Sequence, residues 1–545
     1  MHADYNMPVS MRDGVRLSAA VFRPLGRGPF PAVLLRTCYT KWHGPLIERA
    51  KYWTQNGLAF IVQDVRGRGD SDGNFYPLVN ERRDGLDTLD WIAARPWSDG
   101  RVVMLGSSYS GWTQLYLASS NHPALAALSP AATPPDPDRS FPLDRGMIAP
   151  SAAAWLATLD GHTNQDTSSA DIDGAFATLP IIDFDKHIGR HLHAWRDWIE
   201  TPPGSAYWRA QSYQSSLSES RIPMLHISGW YDDCLGGAIE NFAALAGSER
   251  SPDLAANQWL LIGPWTHNSI GKRISGGIDF GPSAELDVAE VQRNWFSARL
   301  GGSSEETAQV RLFVMGRNEW IEARDWPPAG TLHVRFYLHS SGGANSRLGD
   351  GALSLSPPMD EPPDRFTYDP CNPVPYAQDF DWKQVGGPDD CAELELRQDI
   401  LVYTSAPLTE PLTICGPLIV RLFAASSAVD TDWTAKLLDV HPDGKAIRLN
   451  DGAVRARFRD GPDPQPLQCG AIEEYVIDCW ATCIELPAGH RLRLEIASSA
   501  FGKFDVNMNG GGPIGREHQA VTAEQTVFHD RMRPSHILLP VLSTL

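Results

Sequence analysis

The chain has 545 residues, 42% hydrophobic and 21% charged, enough to bury more than one globular core. Its 47 basic and 66 acidic residues leave a net charge of −19, which argues against nucleic acid or an anionic membrane as partner. No apolar run approaches the ~20 residues that cross a bilayer. Met1 to Ser10 lacks the basic-then-apolar layout of a secretory leader, so a cytoplasmic location is expected. The eight cysteines are scattered without a C-x-x-C pair, and most of them read as small buried side chains rather than a disulfide framework or a zinc site.

In chain order, Arg12-Asp13-Gly14-Val15 carries an Asp-Gly turn between two extended stretches and predicts an opening hairpin. Pro31 to Arg36 and Leu58 to Asp64 read as strands, with a helix from Ile47 to Asn56 between them that ends near Gly57. Within Glu81 to Ala94, Leu86, Leu89 and Ile92 recur at the spacing of a helix packed on a sheet. The apolar run Val102 to Leu105 leads into Gly106-Ser107-Ser108-Tyr109-Ser110-Gly111. A helix from Trp112 to Ala118 and the strand Leu125 to Leu128 follow. This alternation predicts a parallel sheet covered on both faces.

Pro-rich Thr133 to Asp138 marks a boundary, beyond which Arg139 to Glu219 is helical, aromatic and histidine-rich. Alternation resumes with strands Ile222 to Gly229 and Trp259 to Ile262 and helices Ala238 to Leu245 and Glu285 to Leu300. From Val310 onward, runs such as Val310 to Val314 and His333 to Leu338 alternate apolar with polar residues. Asp-Gly turn signals at Asp350, Asp443, Asp451 and Asp460 punctuate them, which predicts a β-sandwich. The fold class expected is α/β: a core over 1–138 and 221–305, an inserted helical segment over 139–220, and an all-β domain over 306–545.

A strand, a tight turn bearing a serine, and a helix form the layout of a nucleophile elbow. Ser108 is in register with Gly106, but the second glycine stands at Gly111, so G-x-S-x-G is met only approximately. A plain Ser/Gly turn explains the hexapeptide equally well. A serine hydroxyl becomes nucleophilic when a base takes its proton and an acid orients that base. Asp232 and His267 each follow a strand, in the chain order Ser, Asp, His that such a sheet requires, 35 positions apart. Asp233 is an alternative acid. An oxyanion would be held by the Tyr109 N–H and by a donor after the second sheet strand, where Tyr39 stands; spacing alone does not separate that role from a core tyrosine.

Other motifs carry less. His187, His191 and His193 lie near Asp183 and Asp185, but without the glutamate of H-E-x-x-H no metal is expected. Arg68-Gly69-Asp70 matches an adhesion tripeptide by coincidence, and Gly67, Gly69 and Gly73 miss the dinucleotide spacing, so no cofactor is expected.

The chain resembles the cocaine esterase family of serine hydrolases, relatives of the X-prolyl dipeptidyl aminopeptidases and α-amino acid ester hydrolases. Arg36 to Lys41, Gln63 to Gly73, Gly106 to Gln114, Gly229 to Asp232 and Gly263 to His267 carry the resemblance. So do Ala206 to Arg209, Asp432 to Leu437 and Asp505 to Asn509. It implies an α/β-hydrolase core, a helical cap and a C-terminal jelly roll, with Ser108, Asp232 and His267 as triad and Tyr39 as the hydroxyl donor to the oxyanion. It implies acyl transfer on a small-molecule carboxylic ester, with Trp112, Trp155, Trp208 and Cys234 as candidate substrate contacts and a homodimer as a possible assembly. The alternatives are a dipeptidyl peptidase or an α-amino acid ester or β-lactam acylase on the same scaffold. A carbohydrate- or partner-binding protein with an inert core lies outside that class.

Overall fold

The computed structural model describes residues 1–247, 251–302, 308–378, 381–383 and 385–542; the boundary expected at 305/306 lies outside them. Ten strands form the first sheet: β1 (His2–Ser10), β2 (Arg16–Arg23), β3 (Phe30–Thr37), β4 (Ala59–Asp64), β5 (Ser98–Ser107), β6 (Leu125–Ala131), β7 (Met224–Tyr231), β8 (Gln258–Thr266), β9 (Val310–Val314) and β10 (Glu319–Ala323). Their order is β1-β2-β4-β3-β5-β6-β7-β8-β9-β10. Pairing is parallel from β4 through β3 to β9 and antiparallel at both margins.

Successive side chains of a strand point to opposite faces, so a strand covered on both sides must be apolar throughout. In β3, Ala32 and Leu34 join the core beneath helices Glu81–Ala93 and Tyr109–Ala118, while Val33 and Leu35 join the core beneath Leu46–Gln55 and Val288–Arg299. The same reasoning corrects one expectation. Val310–Val314, read as sandwich, is β9, parallel to β8; of its five residues only Arg311 is not buried. A single arginine had imitated alternation. Asp451-Gly452 is likewise not a turn. It lies inside the strand Ala446–Arg455, where a Cβ on Gly452 would come within 2.0 Å of the Asp478 carbonyl oxygen.

Residues between β6 and β7 form a helical segment, including Ser151–Thr158, His193–Glu200 and Ala206–Ala210, with a core of its own around Trp195, Trp198 and Trp208. Its Asp185 is taken by the Arg196 guanidinium and the Leu192 N–H, and among the described residues the histidines beside it belong to no group arranged to hold a metal. Beyond β10 the chain builds a twelve-stranded, largely antiparallel sheet. Its apolar residues share one continuous core with Trp230, Leu260 and Leu312 of the first sheet. No helix among the described residues is long and apolar enough to cross a membrane.

A buried ionic group joins this second sheet to the helical segment. Arg455 donates to Asp432 at 2.9 Å, to Asp505 at 3.1 Å and to the Gly146 carbonyl at 2.7 Å. Asp505 in turn accepts from the Ile148 N–H at 2.7 Å. Replacing Arg455 by Ala leaves two carboxylates buried without a counter-charge. A loss of about 3–5 kcal/mol is expected, read as a fall in the urea midpoint. An unchanged midpoint would show that the group is not a buried unit.

Candidate active site

Ser108 stands between β5 and the helix Tyr109–Ala118 with φ 59° and ψ −124°, a conformation costly to any residue with a Cβ. Its N–H donates to the Ala131 carbonyl at the end of β6 (2.9 Å), and its own carbonyl accepts from the Gly111 and Trp112 N–H groups at 2.8 and 3.2 Å. Two neighbours must lack side chains. A Cβ on Gly106 would lie 2.5 Å from the Ser110 Cβ, and one on Gly111 would lie 1.7 Å from the Thr133 Oγ1. That explains the displaced glycine: Ser110 is tolerated because Gly106 is bare, and Thr133 excludes anything larger than hydrogen at 111. The Tyr109 N–H opens the helix, where backbone donors have no partner within the helix. The Tyr109 phenol points elsewhere, donating to Glu81 at 2.8 Å.

Tyr39 follows β3. It lines the same cavity as Ser108, and its hydroxyl accepts from the Trp155 indole at 3.2 Å. Burial pushes the phenol's pKa up, so it stays a neutral donor. The run from Gln63 to Gly73 holds this loop in place. Arg68, fully buried, donates to the carbonyls of Cys38 and Leu159 (both 2.6 Å) and to Asn164 (2.7 Å), which itself donates to the Tyr39 carbonyl at 3.2 Å. Lys41 donates to Asp64 at 2.8 Å and to Ser18 at 3.1 Å. Arg68-Gly69-Asp70 therefore presents no free arginine to an adhesion receptor.

β7 and β8 pack so closely that a Cβ on Gly229 would meet the Trp265 carbonyl at 2.0 Å. Their ends deliver Asp232 and His267. The His267 Nδ1 lies 2.9 Å from Asp232 Oδ1, and 3.5 Å from Asp233. Asp232 also accepts from the Ser228 hydroxyl (2.7 Å) and the Cys234 N–H (2.9 Å). Burial pushes the Asp232 carboxyl up, but His267 and these donors outweigh it and hold it below the usual range. Burial pulls the His267 imidazole down, yet the Asp232 and Asp233 carboxylates carry it above the ordinary histidine value. Among the described residues no comparable donor reaches the Asp233 carboxyl, which is raised by burial and by the charge of Asp232.

One cavity of about 920 Å³ collects these groups: Ser108, Tyr109, Tyr39, His267, Asp233 and Cys234 all line it. Trp112 and Trp155 form an aromatic wall with Phe141, whose ring centroid lies 5.7 Å from that of Trp155. Trp208 does not reach it. Its ring is buried in the core of the helical segment, its indole N–H donating to the Thr201 carbonyl at 3.2 Å, and the expected substrate contact is corrected accordingly. Sequence reasoning missed Phe141, a second apolar wall of Leu46, Trp53, Phe60 and Val288, and Trp382 with Lys383 from the C-terminal domain. No periodicity marks any of them as site residues. A strained serine, a neutral phenol beside it and a carboxylate-held imidazole supply the chemistry of a serine hydrolase.

Known proteins agree. The family model for X-Pro dipeptidyl-peptidase (S15 family) matches residues 13–269, and that for the X-Pro dipeptidyl-peptidase C-terminal non-catalytic domain matches 302–538. The chain is 35% identical to cocaine esterase of Rhodococcus sp. strain MB1 Bresler, the alignment spanning 98% of each chain. A solved aminopeptidase from a marine-sediment Thaumarchaeota archaeon has a TM-score of 0.88 at 24% identity, covering 99% of this chain and 96% of its own. An α-amino acid ester hydrolase has a TM-score of 0.87 at 25% identity, with the same coverages. The chain belongs to the cocaine esterase family of serine hydrolases, its two parts matching the X-Pro dipeptidyl-peptidase models, and it is an enzyme.

Because two carboxylates favour the imidazolium form, removing one should release the proton earlier as pH rises. In Asp233→Asn, the His267 titration followed by NMR is expected to move to lower pH. The acid limb of the pH–rate profile should move with it, since a base must be neutral to accept a proton. An unmoved titration would mean that Asp233 does not act on the imidazole.

Proposed function

We propose that the enzyme cleaves carboxylic esters by two-step acyl transfer, with Ser108 as nucleophile, His267 as general base and Asp232 as the acid that orients it. One juxtaposition carries this reading. Ser108 stands in a strained elbow and shares one cavity with Tyr39 and with an imidazole hydrogen-bonded to Asp232 at 2.9 Å. Asp232 engages Nδ1, which leaves Nε2 to take the serine proton and later hand it to the leaving alcohol. The Tyr39 hydroxyl and Tyr109 N–H donate to the oxyanion at the positive end of a helix. Water, activated by the same imidazole, releases the acid.

In this reading residues 139–220 act as a cap over the elbow, supplying Phe141 and Trp155, and the C-terminal domain is a jelly roll that closes one side of the cleft. The aromatic wall of Trp112, Phe141 and Trp155 suits a bulky apolar or aromatic acyl group. The relative named cocaine esterase, similar along the whole chain, supports an ester substrate. An amine-bearing peptide or amino acid ester fits less well. Among the described residues lining the cavity Asp233 is the one carboxylate, it lies beside His267, and Arg49 and Lys383 on the same lining repel an ammonium.

Ser108→Ala is expected to abolish turnover of p-nitrophenyl esters and labelling by a fluorophosphonate; activity near that of the wild type would exclude the assignment. Asp232→Asn should cost on the order of 10⁴ in kcat, and Tyr39→Phe about 10²–10³. A larger loss in Asp233→Asn than in Asp232→Asn would exchange the two acids. Aryl esters should be cleaved faster than X-Pro anilides or α-amino acid esters, and the reverse order would make the enzyme a peptidase or aminoacyl hydrolase.

A further inference from the structure

In the second sheet, the strand Asp432–Val440 runs into His441 and a tight turn, closed by the His441 N–H donating to the Lys445 carbonyl (2.9 Å) and the Gly444 N–H to the His441 carbonyl (3.0 Å). On its other side it pairs antiparallel with Arg491–Ala497, with Val440 opposite Arg491. His490 immediately precedes that partner strand, so the register brings it beside His441, whose ring centroid is 4.5 Å away. Asp439 lies beneath both imidazoles. His490 Nδ1 is 2.7 Å from its Oδ1 and His441 Nε2 is 3.2 Å from its Oδ2.

The three ligand-type atoms lie within 4.8 Å of one another. Exposure is graded, with Asp439 at 8%, His490 at 15% and His441 at 35%. The carboxylate forms the floor and one imidazole faces solvent, which gives an ion a way in. None of the three lines the catalytic cavity.

We propose that Asp439, His441 and His490 bind a zinc ion, with the remaining position open to water. Two imidazole nitrogens and a carboxylate form a ligand set suited to borderline divalent metals, whereas calcium and magnesium prefer oxygen alone. Binding needs only that each imidazole present a lone pair to the ion and carry its proton on the other ring nitrogen. The ion then ties the turn at 441–445 to the segment before Arg491. Since the unfolded chain scatters these ligands, it stabilises the folded domain. The second cluster of potential ligands, Asp232, Asp233, Cys234 and His267, belongs to the catalytic site, where Asp232 and His267 already hold each other.

The test uses the full chain without an affinity tag, stripped of metal and titrated with zinc by calorimetry and thermal unfolding. One equivalent is expected to bind and to raise Tm. The double variant His441→Ala, His490→Ala should lose both effects and keep the metal-free esterase rate. Cobalt substitution of the wild type guards against a double variant that fails to fold. It should give visible d–d bands without a sulfur-to-cobalt charge-transfer band. Retained binding in the double variant, or a thiolate band that places the ion at a cysteine, would overturn the proposal. An absence of zinc binding in the wild type would do the same and leave a hydrogen-bonded cluster only.

Discussion

The site depends on a steric constraint at the end of β5. Strand and helix meet so closely around Ser108 that hydrogen is the only substituent accommodated at 106 and 111. A non-glycine residue at φ 59° costs about 1–3 kcal/mol and persists only where its surroundings over-determine it. Here they do. The end of β6 supplies both the carbonyl that fixes the Ser108 N–H and, two residues on, the Thr133 side chain that fills the space beside Gly111. The sheet, by its parallel order, thus sets the projection of a single hydroxyl.

The buried cations near the site are devices of position rather than chemistry. Arg68 and Lys41 reach no part of the Ser108 side chain, yet they fasten the loop that carries Tyr39 through main-chain carbonyls and the Asp64 carboxylate. Burying a charge is costly unless it is paired and hydrogen-bonded, and such groups are most useful where one conformation of a loop must be selected. The oxyanion role proposed for the Tyr39 phenol would need that kind of selection.

Much of this was legible in the sequence, for identifiable reasons. The placement of Ser108, Asp232 and His267 just beyond strand ends could be read because a parallel sheet builds its site at the carboxyl ends of its strands, and strand ends show as abrupt changes of polarity. Tyr39 could not be chosen on spacing, since its placement depends on contacts made by Arg68 from another segment. Trp208 misled because an indole in a short helix shows nothing in sequence of whether it faces a cavity or a core. Phe141 and Trp382 were invisible for the converse reason: they come from irregular segments and reach the cavity only through packing between distant parts of the chain. β9 was misassigned because one arginine in five residues imitates an amphipathic strand.

The contribution of the C-terminal domain to the cleft bears on when the protein becomes competent during its own synthesis. Trp382, Lys383 and Val385 supply part of the wall, and the Asn268 side chain, next to His267, donates to the Lys383 carbonyl at 2.9 Å. The triad proposed here is complete once residue 267 has left the ribosome, but its enclosure is not. A nascent chain halted before residue 382 lacks that part of the wall and the apolar partners of Trp230, Leu260 and Leu312 in the second sheet, and domains generally fold as units in order of synthesis. Chemistry in this enzyme is thus encoded early and sheltered late.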